Sequence, residues 1–125
     1  MIGEKQGSII NIASMSGYIV NYPQPQVSYN ASKGGVIHLT KLLAAEWAKY
    51  NIRGNAIAPG YMMTKMTADY LEKNPEMKNF WVKSTPMKRM GLPEELQGAA
   101  VYLASDASSF MTGNTLIIDR GYIIY

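Results

Sequence analysis

Two stretches of this sequence place a tyrosine four residues ahead of a lysine: VSYNASKGG, with Tyr29 and Lys33, and YMMTK, with Tyr61 and Lys65. On a helix that spacing puts both side chains on one face, so the ammonium can approach the phenol. A cation beside a phenol favours the phenolate, and such a pair can act as a general acid or base. Spacing alone is a weak signal. The chain has nine tyrosines and nine lysines, and that composition yields about 0.6 such pairs by chance. The elements around each pair must decide between them.

Around the first pair those elements are clear. GSIINIAS, residues 7–14, runs through Ile9, Ile10 and Ile12 and reads as a strand buried on both faces, with Ser14 at its end. MSGYIVNYPQPQ contains Gly17, Pro23 and Pro25 and reads as a loop. Ser28 stands where a helix N-cap belongs, and from Ala31 to about Tyr50 Val36, Leu39, Leu43 and Trp47 recur at helical steps. Tyr29 therefore opens a long helix at the carboxyl end of a strand, where open α/β sheets place their ligands. Ser14 could aim its hydroxyl into the same site. Tyr61 and Lys65 instead follow Pro59-Gly60 directly in an irregular stretch, which marks that pair as the accidental one.

Further along, residues 51–60 read as a second strand ending in the Pro59-Gly60 turn. Residues 61–90 hold two short helical patterns, around 67–73 and 76–82, with Pro75 and Pro86 as breaks. Pro93, Glu94 and Glu95 suit the start of a helix running to about Ala104, and residues 115–119 form a third strand. Strand, helix, strand, helix, strand implies an α/β fold with a parallel sheet. Three strands make a thin sheet, part of something larger.

Composition narrows the functional classes. Hydrophobic residues make up 47% and charged residues 17%, as in globular domains. The net charge of +3 is spread over scattered basic residues, so nucleic acid is not an expected partner. With no cysteine, disulfides, thiolate catalysis and zinc–thiolate sites are excluded. No apolar run approaches the roughly 20 residues that span a bilayer, and MIGEKQGS lacks an apolar signal core. A cytoplasmic protein without membrane or metal site is expected. His38 and the lysines at 73, 78, 83 and 88 read as solvated surface.

Taken together, GSIINIASMSG, YNASKGGVIHLTKLLAAEWA, IRGNAIAPGYMMT, MKRMGLPEELQGAAVYLASDASSFMTG and LIIDRGY resemble the second half of the short-chain dehydrogenase/reductase family, in the family's order. The loop SMSGYIVNYPQPQ is similar to the fungal branch that reduces ketoses such as sorbose or fructose with NADPH. The resemblance implies the carboxyl-terminal half of a doubly wound parallel-sheet (Rossmann) fold, one partial domain over 1–125, its amino-terminal dinucleotide-binding half missing. It implies that Ser14 orients the substrate carbonyl, Tyr29 donates the proton, and Lys33 assists Tyr29 and holds the nicotinamide ribose. Pro59, Gly60, Met62 and Thr64 would line the cofactor, Ser16 would touch substrate, and residues 65–90 would form a lid. The expected cofactor is NADP in preference to NAD, the substrate a small carbonyl compound or polyol, and the assembly a homo-oligomer.

Two departures accompany the resemblance. The family reads Asp-Gly-Gly where this chain has Asp119-Arg120-Gly121, which strains Arg120 if that position needs a positive φ. The chain also lacks the family's Gly-rich pyrophosphate turn, the residue that selects NAD or NADP, and the proton-relaying Asn. The alternative expectation is therefore a truncated, catalytically inactive remnant or subunit-contact module.

Overall fold

The computed structural model describes residues 1–125. Three strands, β1 (Gly7–Ile12), β2 (Ile52–Pro59) and β3 (Thr115–Ile118), form one parallel sheet in the order β1-β2-β3. Gly7 pairs with Ile52 and Ile12 with Ile57; Ala56 pairs with Thr115 and Pro59 with Ile118. All three strands thus end on the same side. Helix α1 (Val27–Trp47) carries the crossover from β1 to β2. Between β2 and β3 lie α2 (Lys65–Lys73), α3 (Pro75–Ser84) and α4 (Gln97–Ala104).

The strand period of two assigns the helices to opposite faces. Gly54, Ala56 and Ala58 face α1: Gly54 lies against the Ala44 backbone, and the two alanines pack with Ala13 and Ile37. These small residues let the helix lie close to the strand. Arg53 points the other way and donates to the carbonyls of Leu103, Ser105 and Met111, at 3.0–3.2 Å, tying β2 to the end of α4. Ser8, its partner on β1, donates to the same Leu103 carbonyl at 2.6 Å. A second apolar cluster (Leu71, Met77, Trp81 and Met90) sits within the α2–α3 excursion and has its own core.

Several expectations need correction. β1 is half-buried rather than buried on both faces, because it is an edge strand pairing only with β2, and Ile12 is 55% exposed. It stops at Ile12, two residues before Ser14. Helix α1 begins at Val27, with Gln26 rather than Ser28 at the N-cap position and no side-chain cap, and its last turn tightens into a 3₁₀ turn at Ala48–Tyr50. Pro75 separates α2 from α3 as expected and is itself the first residue of α3, since proline at N1 lacks only an N–H that has no helical partner. Residues Pro93–Leu96 form a 3₁₀ turn ahead of α4. β3 ends at Ile118, one residue short of the expected Asp119.

Candidate active site

The corner after β1 is fixed by its own hydrogen bonds. Ala13 N–H donates to Ile57 O at 2.8 Å, extending the sheet ladder by one residue. Ser14 is extended and nearly buried, and its hydroxyl accepts the Ser16 N–H at 3.1 Å, capping a 3₁₀ turn at Met15–Gly17. That turn packs tightly on α1. A Cβ on Gly17 would sit 2.9 Å from the Lys33 carbonyl, which leaves room only for glycine.

Tyr29 lies in the first turn of α1 and is 46% exposed. Lys33 follows one turn later, with Nζ 5.6 Å from the Tyr29 ring centroid. The same Nζ donates to Ile12 O at 3.0 Å, the last carbonyl of β1. One of three ammonium donors is thereby used, and two remain free. The strand end and the first helical turn are pinned to each other through this lysine.

At the end of β2, Gly60 N–H donates to Ile118 O at 2.9 Å, and a Cβ there would lie 2.7 Å from the Asp119 Cα. Met63 N–H donates to Gly91 O at 2.8 Å and Gly91 N–H to Tyr61 O at 2.9 Å, closing the base of the α2–α3 excursion. Thr64 caps α2 by accepting the Thr67 N–H at 3.2 Å.

These elements enclose a cleft of about 670 Å³ at the carboxyl ends of the strands. Its lining brings together Ser14, Ser16, Tyr29, Lys33, Pro59, Gly60, Met62 and Thr64, every site residue expected from the sequence. Lys33 is the only charged residue on its wall.

Sequence reasoning missed Tyr61. It does not share a helical turn with Lys65, which begins α2. Its ring instead stacks on Trp81 (centroids 3.9 Å apart, planes at 9°) and meets Tyr122 edge-on at 5.1 Å. Its hydroxyl accepts from Asn21 Nδ2 and Gln24 Nε2, each at 2.8 Å. Burial pushes this phenol well above its ordinary range, against the opposing pull of the two amide donors. Nothing in the local sequence distinguishes this tyrosine; the signal lies in Asn21, Gln24 and Trp81, all distant along the chain.

Arg120 adopts φ +57°, so the strain anticipated from the sequence is present. Its guanidinium pairs with Glu95 and is mostly buried. Glu95 also accepts a two-point contact from Arg89 at 2.8 and 2.9 Å and the Leu92 N–H at 2.8 Å. The Arg89 donors, then the Leu92 N–H, hold its carboxyl below the usual range.

The fold is part of a Rossmann fold, and the chain belongs to the short-chain dehydrogenase/reductase family. A family model described as enoyl-(acyl carrier protein) reductase matches residues 1–123. The chain is 57% identical over 117 residues to a ribulose-forming D-arabinitol 2-dehydrogenase of Candida tropicalis, covering 93% of this chain and 42% of that protein. It is 51% identical to a sorbose reductase of Candida albicans, covering 94% and 41% respectively. The crystal structure of gox2181 superposes with a TM-score of 0.96 at 49% identity, over all of this chain and 48% of that one. The chain spans somewhat under half the length of the curated relatives it matches.

Proposed function

We propose that this chain carries the catalytic side of a ketose reductase or polyol dehydrogenase that acts in the cytoplasm with NADP. The convergence of Ser14, Tyr29 and Lys33 on one cleft at the strand ends carries the reading. In it, the Ser14 hydroxyl holds the substrate carbonyl oxygen, and Tyr29, exposed on the cleft wall, delivers the proton to that oxygen. Lys33 stabilises charge developing at Tyr29 and turns its two free donors toward ribose hydroxyls. The turn Pro59-Gly60, with Met62 and Thr64, flanks the nicotinamide end, where Gly60 allows close approach. The nicotinamide, when bound, supplies the hydride. Ser16 reaches a substrate hydroxyl, and residues 65–90 act as the lid.

The lining also selects a substrate class. A carboxylate substrate calls for a guanidinium or a second ammonium, and the wall offers neither. Hydroxyls and amides (Ser14, Ser16, Gln24, Gln26, Thr64) suit a neutral polyhydroxy compound instead. Both relatives described above are named for sugar or polyol chemistry. Self-association would use the outer face of α1, where Gly35 has open space around it and Leu39 and Leu42 are half-exposed.

A second reading is that the chain alone does not turn over, favoured by two observations. It contains no Gly-rich strand-to-helix turn to cradle a pyrophosphate, and β1 presents an unpaired edge beside exposed Ile12. The few contacts from Lys33 and Thr64 cannot offset the roughly 4–15 kcal/mol lost on association. Calorimetric titration with NADPH, paired with assays of sorbose and fructose reduction, separates the readings. The chain alone should show neither tight binding nor turnover; completing the sheet with the amino-terminal half of a ketose-reducing relative should restore both. A completed protein that binds NADPH but reduces neither sugar would sink the proposal.

A further inference from the structure

Ser16 is joined to Tyr61 by a continuous line of neutral side chains. Gln26 Nε2 donates to Ser16 Oγ at 3.3 Å and to Asn30 Oδ1 at 2.7 Å. Asn30 Nδ2 donates to Asn21 Oδ1 at 2.9 Å, and Asn21 Nδ2 to the Tyr61 hydroxyl at 2.8 Å. Gln24 meets the same hydroxyl and ends the line. Its Oε1 is buried without a partner, and so is the Nε1–H of Trp81, whose ring stacks on Tyr61. Turning the Gln24 amide over exchanges the atom that meets Tyr61 and strands the other; in both orientations one polar atom lacks a protein partner. Buried polar atoms are rarely left so, because each unmade hydrogen bond costs about 1–3 kcal/mol. Two such atoms on residues lining one cleft point to a ligand.

We propose that Gln24, Tyr61 and Trp81 form a subsite for substrate hydroxyls remote from the reacting carbonyl, an inference that rests on the polyol reading above. A vicinal diol both donates and accepts, which suits an amide end and an indole N–H on two residues that each adjoin Tyr61. Tyr61 and Tyr70, stacked on Trp81 with centroids 3.9 and 5.7 Å away, supply an apolar wall for the C–H side of the same chain. The line of amides fixes the Tyr61 hydroxyl by orienting its donors, so the subsite is organised before substrate arrives. It would discriminate by leaving its polar atoms unpaired when a ketone without hydroxyls enters.

Saturation-transfer NMR on the full 125-residue chain tests this with D-arabinitol and cyclohexanone as probes, the second a smaller ketone lacking hydroxyls. Gln24→Met keeps the length of the side chain and removes its polar atoms; it should lower the ratio of arabinitol to cyclohexanone affinity about tenfold, as expected for the loss of one hydrogen bond to a paired group. Tyr61→Phe, which preserves the stack on Trp81, should lower the ratio in the same direction. An unchanged ratio in both variants would overturn the subsite while leaving arabinitol binding, and so the polyol reading, in place. A parent chain that binds cyclohexanone but not arabinitol would overturn both.

Discussion

The same four-residue spacing occurs twice, and the structure treats the two copies in opposite ways. Tyr29 and Lys33 share a turn of α1, with the ammonium near the ring and the phenol half-exposed on the cleft wall. Tyr61 and Lys65 share nothing: the tyrosine precedes α2, stacks on Trp81 and surrenders its hydroxyl to two amides, while the lysine faces solvent at the start of the helix. One phenol stands half-exposed on the cleft wall beside a cation. The other has its hydroxyl held by two amides and its ring stacked, and burial raises it above the ordinary phenol range. Proton transfer needs exposure, a nearby charge and a rigid element beneath both groups, and spacing alone specifies none of these.

The largest expected effect lies in the first copy. Tyr29→Phe, in the sheet completed as described above, should reduce kcat by roughly 10³-fold, within the 10²–10⁴ range of positioned acid–base groups. NADPH affinity should change little, since only the phenolic hydroxyl is removed. Steady-state kinetics with a parallel binding titration reads both. Equal losses in the two would make Tyr29 a structural residue and erase the contrast.

Around the second copy the largest loss should be in stability. Trp81 is buried in the α2–α3 cluster, and Trp81→Ala should cost about 3–5 kcal/mol by the general range for large-to-small core changes. Urea unfolding measures it. Losing the stack should also let the Tyr61 phenol fall back toward its ordinary range, visible as tyrosinate absorbance appearing at lower pH. If that titration did not move, burial against Trp81 would not be its cause.

How much of this the sequence disclosed follows from where the determinants lie. The strand and α1 around Tyr29 announce themselves locally, through a β-branched run and apolar residues at helical steps. Pro75 was ambiguous, because proline both ends helices and begins them; the choice depended on Met77 and Trp81 finding Leu71 and Met90 across the excursion. Ser28 had the right chemistry for a cap, but the 3₁₀ turn after Ser14 and the Gln26 contacts to Ser16 and Asn30 set the start of α1 two residues earlier. The partners of Tyr61 are 37 and 40 residues upstream and so leave no local trace. Arg120 was legible as an oddity, whereas its partner Glu95 was not.

Glu95 gives a smaller effect that isolates the base of the excursion. Its carboxyl is held below the ordinary range by Arg89 and the Leu92 N–H. A carboxylate depressed on folding contributes stability above its unfolded value, and that contribution is lost as pH falls through the lower folded value. The thermal midpoint should therefore drop on acidification below the ordinary carboxylate range. Glu95→Gln should lower the midpoint at neutral pH and flatten the acid-side fall. An unaltered slope would assign the acid sensitivity to another carboxylate.

The smallest effect is the most direct test of the discarded pair. Lys65 is exposed, is the first residue of α2, and has no partner for its ammonium. A positive charge at a helix N-terminus opposes the macrodipole, whereas a negative one is favoured by about 0.3–1 kcal/mol. Lys65→Glu should accordingly leave turnover unchanged and stabilise the chain slightly, by no more than that amount, in a denaturant titration. The corresponding change at Lys33 would strip the ammonium from Tyr29 and from the Ile12 carbonyl together, and could not be silent. If Lys65→Glu instead depressed turnover as strongly as Tyr29→Phe, the second tyrosine–lysine pair would be chemistry after all. Local position on a helix would then have misassigned the two.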